Sequence, residues 1–161
     1  MMVFAGHIGA ALIIAYLLNL NPLLTTLGGV LPDLDAVFYF FGKSWVEAHR
    51  KVTHSLFLPL TLFMFSINIP YLFPVAVGAI IHFLTDIDQW GIPLFFPFSN
   101  KRYTFFKKNN RVEHVGPIDF IKKWFRERGW NFYLEWGLLG LGVYLNWDYL
   151  TGLLKLFGLL Q

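Results

Sequence analysis

Histidines and aspartates at metal-ligand spacing recur along this chain, inside or beside apolar runs. His7 lies in MMVFAGHIGAALIIAYLL, Asp33 and Asp35 in LGGVLPDLDAVFYFF, His49 and His54 in HRKVTHSLFLPL, and His82 and Asp86 in AVGAIIHFLTDID. Ionisable side chains are costly in apolar surroundings and usually functional where they occur there. Several separate segments each offer one or two hard or borderline ligands, so the chemistry suggested is that of a polynuclear metal site. The chain has no cysteine, which excludes thiolate sites and disulfides and leaves His, Asp, Glu or backbone oxygens to hold any metal.

His82-Phe83-Leu84-Thr85-Asp86 sets an imidazole and a carboxylate at i and i+4, on one helix face and within reach of one divalent ion. The alternative is a hydrogen bond between the two at a helix end. Asp88, two residues further on, points elsewhere on a helix, toward an outer shell or solvent. Asp33-Leu34-Asp35 brings two carboxylates close together. They repel unless one is protonated or a cation lies between them, and a carboxylate bridging two metals would resolve that. Asp33 could instead only cap a helix restarting after Pro32, which leaves Asp35 unexplained. His54 opens an apolar run as a ligand candidate, with Thr53 or Ser55 able to cap.

Arg50 is either a bidentate phosphate donor or a basic anchor, and His49 beside it is either its partner or an exposed loop residue. Arg50, His49 and Asp88 form the candidate catalytic set. His7 stands among Ala5, Gly6, Gly9 and Ala10, small residues that let another helix approach; it reads as a core histidine or a ligand. His114, in a basic stretch, reads as a surface residue. Glu135, the one acid in the last long apolar run, is either a site candidate or a residue snorkelling to an interface.

The elements that would position these groups are apolar. Hydrophobic residues make up 56% of the 161 residues, charged residues 14%, and the mean hydropathy is +0.52; a soluble domain carries about 25% charged residues. Apolar stretches cover 3–20, 23–41, 54–68, 71–88 and 131–147, with an amphipathic tail at 149–160. The first has no basic n-region and no small-residue cleavage site, so it reads as a retained helix rather than a signal peptide. About eighteen helical residues reach about 27 Å, enough to cross the hydrocarbon core. The expected fold is therefore all-α, a polytopic membrane helical bundle of about five spans. Gly28-Gly29-Val30-Leu31-Pro32 predicts that the second segment is broken or re-entrant.

Twelve of the 13 Lys and Arg fall in two loops, on the side of the N-terminus. The positive-inside rule then predicts a multi-pass protein of the cell (inner) membrane, with the N-terminus and basic loops cytoplasmic. One membrane-embedded domain, 1–161, would comprise metal-site helices (1–90), a basic and aromatic interfacial loop with an amphipathic helix (91–129), and a C-terminal span and tail (130–161). In 118–128, Ile118, Ile121, Trp124 and Phe125 oppose Lys122, Lys123, Arg126 and Glu127, the pattern of a helix lying in the headgroup layer. Lys101, Arg102, Tyr103, Phe105, Phe106, Lys107 and Lys108 interleave bases with aromatics. Nucleic acid could bind such a loop, but beside apolar spans anionic lipid is the expected partner and no nucleic acid is expected.

Leu-Pro-Asp-Leu-Asp (31–35), His-Arg-x-x-Thr-His-Ser (49–55), His-x-x-x-Asp (82–86) and Gly-Ile-Pro-Leu-Phe-x-Pro-Phe-Ser (91–99), in that order, resemble the YdjM-type family of membrane-bound, metal-dependent hydrolases. The resemblance covers roughly residues 1–100. It implies a distant likeness to zinc-dependent phospholipase C and zinc nucleases, all-helical enzymes with a trinuclear zinc site of His and Asp ligands. It also implies His7, Asp33, Asp35, His54, His82 and Asp86 as the metal ligands. The N-terminal amine and His-x-x-x-Glu helix of the zinc phospholipases are not visible here.

The expected function is hydrolysis of a phosphoester in a lipid or lipid-like substrate at the cytoplasmic face, with a divalent metal, zinc first, in two or three ions. The rivals are a structural metal site in a membrane scaffold and a metal or proton transporter. A metal-free phosphatidic acid phosphatase is disfavoured. Lys43 and Arg50 fit its Lys-x6-Arg spacing, but Lys51 stands where it has proline and Ala76 where it needs arginine.

Overall fold

The computed structural model describes residues 4–41, 52–87, 91–105 and 117–160. Among them the chain is helical: α1 (Phe4–Leu17), α2 (Pro22–Val30), a 3-10 helix (Leu31–Phe41), α3 (Phe57–Ser66), α4 (Leu72–Asp86), α5 (Pro117–Glu127), α6 (Trp130–Leu145) and α7 (Trp147–Leu156). Asn19 ends the first hairpin in the left-handed region at φ 52°, a conformation asparagine tolerates. Asn21 then starts α2. Its side-chain oxygen accepts from the Leu24 N–H at 3.0 Å, and Pro22 takes the first helical position, where no N–H is needed.

The bundle is assembled through small residues. α1 packs on α6 and α2, and α4 packs on α2 and α3. A Cβ at Gly28 would collide with the Val75 carbonyl, and one at Gly78 with the Thr25 carbonyl, so α2 and α4 cross backbone to backbone. Ala11, Ala15, Ala76 and Ala79 fill the core beside these crossings. Asn146 fastens α6 to α1, its amide donating to the Leu12 carbonyl at 3.0 Å and the Gly142 carbonyl at 2.8 Å. The segment after α4 returns to the bundle. Ile92 and Tyr103 exchange two backbone hydrogen bonds of 2.9 Å, and the Leu94 carbonyl accepts from the Leu56 N–H at 3.0 Å. Ile92 is fully buried there, so this loop supports the stretch that carries His54.

The expected polytopic membrane bundle of about five spans is corrected by these lengths. No helix among the described residues is long and apolar enough to cross a membrane. The longest, α6, has 16 residues, a rise of about 24 Å against a hydrocarbon core of about 30 Å. The apolar runs outlast the helices because hydropathy does not register helix-end geometry. The first run ends as a helix at Leu17, before the Asn19 turn. The second changes from α to 3-10 at Leu31, beside Pro32, rather than forming a re-entrant span. The third becomes helical only at Phe57, and the fifth breaks at Asn146. Residues that the hydropathy pattern placed in spans, among them Leu60, Phe63, Met64 and Ile67, are exposed.

Candidate metal centre

The donors come from four separate stretches of chain. His7 lies near the start of α1, Asp33 and Asp35 on the 3-10 helix, His54 in the turn before α3, and His82 and Asp86 on the last turns of α4. All six are buried. Within this group His7, Asp33, His82 and Asp86 place one donor atom each within 4.8 Å of one another, an arrangement that could hold a metal ion. His54 joins them, its Nε2 lying 3.1 Å from His82 Nε2 and 3.6 Å from both Asp33 Oδ1 and Asp86 Oδ2. His82 Nε2 is 3.6 Å from Asp33 Oδ1 and 3.7 Å from Asp86 Oδ2. His7 Nε2 faces the other oxygens, Asp86 Oδ1 at 3.6 Å and Asp33 Oδ2 at 3.9 Å.

The outer nitrogens settle which way the imidazoles are protonated. His82 Nδ1 lies 2.7 Å from the Gly29 carbonyl, which can only accept, so Nδ1 carries the hydrogen. His54 Nδ1 faces Asp35 Oδ2 at 3.3 Å, and the Thr53 hydroxyl donates to the same carboxylate oxygen. His7 Nδ1 is 2.9 Å from Thr85 Oγ1. That hydroxyl directs its own hydrogen to the His82 carbonyl at 2.8 Å or the Ile81 carbonyl at 3.1 Å, so it accepts from His7. Each histidine thus donates outward through Nδ1 and can turn an Nε2 lone pair inward. An outer partner on the second nitrogen is the usual mark of a metal-ligating histidine. The His7 and His82 rings stack with centroids 4.0 Å apart.

Lone pairs and carboxylates converging in a buried volume repel unless positive charge lies among them. In the ion-free protein a proton on His54 supplies it. Burial disfavours the imidazolium, but hydrogen bonds to Asp33, Asp35 and Asp86 outweigh burial and raise the His54 pKa to about 10. His82 moves the other way, to about 3, because burial and then the neighbouring His7 oppose a charge there. Burial opposes ionisation of Asp33, but its hydrogen bond with His54 keeps the pKa below the ordinary aspartate value.

Asp35 sits on the outer nitrogen of His54. His49, Arg50, Asp88 and His114 lie outside the described residues. Glu135 is buried on α6 and is not among the grouped donors. Sequence reasoning missed Thr85 and the Gly29 carbonyl. Thr85 stands inside the His-x-x-x-Asp stretch, but standing next to Asp86 carries no signal, because adjacent helix residues face different ways. A backbone carbonyl leaves no signal in residue types.

No curated protein and no solved structure matches this chain. A family model described as YdjM inner membrane protein matches residues 1–152, nearly the whole length, and the chain belongs to that family.

Proposed function

We propose that the protein is a metal-dependent hydrolase of phosphoesters in a lipid or lipid-like substrate, working at the membrane its family description names. One observation carries the reading: Asp33 and Asp86 each turn one oxygen toward His7 and the other toward the His54–His82 pair. That is the disposition of two carboxylates shared between two cations. On the inner side His54, His82, Asp33 Oδ1 and Asp86 Oδ2 stand 3.1–3.7 Å apart along the edges described above. Donors placed tetrahedrally at about 2.0–2.2 Å from one ion lie about 3.3–3.6 Å apart, so the donor set fits zinc or a similar divalent ion. His7 with Asp33 Oδ2 and Asp86 Oδ1 makes a second, partial set. Divalent ions held there would supply Lewis acidity to a phosphoryl oxygen and the means to activate water.

The protein's own part is orientation and access. Asp35, Thr85 and the Gly29 carbonyl hold the three imidazoles in place. The Asp33 side chain is 11% exposed, against 1% or less for His7, His54, His82 and Asp86, so substrate would approach on the Asp33 side. Arg50 and His49, a few residues before His54, are proposed to meet the phosphate, and Asp88, just beyond Asp86, to support the centre.

The test is metal content by mass spectrometry on purified protein, wild type beside His82→Ala, followed by phospholipid hydrolysis. Two zinc-like ions lost in the variant, with phosphoester cleavage that chelation abolishes, is the expected result. A second reading, a purely structural centre, is favoured by the depth of burial. Stoichiometric metal in a folded protein that cleaves no lipid phosphoester would establish that reading instead.

A further inference from the structure

Helix α5 segregates its residues by chemistry. Ile118, Ile121 and Phe125 recur at i, i+3 and i+7, the spacing of one helix face, and Lys122 and Arg126 run one turn apart along its flank. Folding does not bury that face. Ile118 is 58% exposed, Ile121 40% and Phe125 49%. Lys122 and Arg126 are exposed as well. The helix is held by Trp124, whose ring lies 4.7 Å from Phe132 at the start of α6. Phe125 meets the same ring edge-on at 5.9 Å, and the apolar arc still stays about half exposed. Just beyond it, Trp130 and Tyr133 also stand exposed.

We propose that α5 is a docking helix for an anionic lipid surface, lying in the plane of the headgroups. Its apolar arc would enter the acyl boundary, and Lys122 and Arg126 would pair with headgroup phosphates. Charge complementarity favours lipid over a protein groove. The two basic side chains border the apolar arc, where long stems can lie along the acyl boundary and carry their charges up to the phosphates. Exposed Trp130 and Tyr133 add amphipathic rings of the kind that settle at a membrane interface. The inference rests on α5 alone and stands whether or not the metal centre hydrolyses anything.

The chain contains no cysteine, so single-cysteine labels report on one position each. The full-length protein, labelled at Ile121→Cys or at Asp119→Cys in line with Lys122 and Arg126 on the polar flank, is reconstituted in vesicles of phosphatidylcholine with or without phosphatidylglycerol. Ile118→Cys provides a second position on the apolar arc in case one label perturbs the helix. In anionic vesicles the labels at Ile118 and Ile121 are expected to be quenched from the upper acyl region and shielded from aqueous iodide, and the label at Asp119 to behave oppositely. Lys122→Gln combined with Arg126→Gln is expected to shift docked against undocked helix by about thirtyfold, at about 1 kcal/mol per basic residue. Iodide reaching all three positions equally in anionic vesicles would overturn the proposal. Shielding indifferent to lipid charge and to the double substitution would overturn it too, and would assign the arc to a protein contact.

Discussion

His54 and His82 bring their Nε2 atoms to 3.1 Å while their Nδ1 atoms are drawn apart, one toward Asp35 and the other toward the Gly29 carbonyl. Two imidazoles in this relation cannot both be charged. In the ion-free state the one surrounded by carboxylates takes the proton, and its neighbour stays neutral. The pair is therefore held ready for a cation.

Asp86 and Asp35 should differ in kind when altered. Asp86→Asn removes charge from an oxygen pair that faces both His7 and the His54–His82 pair, and metal stoichiometry should fall. Asp35→Asn changes the partner of the outer nitrogen of His54 and of the Thr53 hydroxyl, so the ions should remain with affinity lowered about 10–100-fold. Metal analysis combined with chelator competition separates the two outcomes, and equal loss of stoichiometry in both variants would contradict them.

Thr85→Val removes the acceptor for His7 Nδ1 and nothing that faces the centre directly. The weaker set, built on His7, should lose about 10–100-fold in affinity while the His54–His82 set keeps its ion. Biphasic chelation becoming more widely separated is the expected trace. Thr85→Ser should restore the wild-type curve.

Stability of the ion-free protein should peak near neutral to mildly acidic pH. His54 has a folded pKa of about 10 against 6.5, so its contribution is complete below pH 6.5 and is lost as the pH rises toward 10. His82, at about 3 folded, refuses a proton that the unfolded chain accepts, so stability falls as the pH drops below 6.5 toward 3. The lowered Asp33 pKa adds to the acid-side loss, beginning below the ordinary aspartate range. Thermal unfolding of chelator-treated protein across this range should give a maximum between the two limbs. A flat profile would show that the groups do not interact in this way.

Metal uptake at mildly alkaline pH should release about one proton per protein. His54 holds that proton when the centre is empty of ions and must give it up to become a ligand. Calorimetry in buffers of different ionisation enthalpy measures the number, and His54→Ala should bring it close to zero.

Gly78→Ala should destabilise the fold without altering any donor. The added Cβ would press on the Thr25 carbonyl where α2 and α4 cross. Overpacking of this sort costs about 1–3 kcal/mol, or roughly 3–10 °C in melting temperature for a chain of this size.

The donors were more legible in the sequence than the architecture was. His82 and Asp86 share a helix face by spacing alone, and Gly28-Gly29-Val30-Leu31-Pro32 marked the place where the backbone switches to a 3-10 helix at Leu31. Helix lengths were not legible. Asn19 and Asn146 each follow the end of a helix, and the turn preceding Phe57 delays the start of one, inside runs that hydropathy scores as continuous. The outer partners were harder still. Thr85 reaches His7 across 78 positions of sequence, and Gly29 contributes only a carbonyl, so nothing in their residue types announced a role.

Each histidine is steadied by an element other than its own: His7 of α1 by Thr85 of α4, His82 of α4 by Gly29 of α2, and His54 by Asp35 of the 3-10 helix. Ions seated among the three would tie together stretches from residue 7 to residue 86 in a chain that has no cysteine to do so. They would then serve as this protein's cross-link, constraining the unfolded chain as a disulfide does but opened by a chelator instead of a reductant.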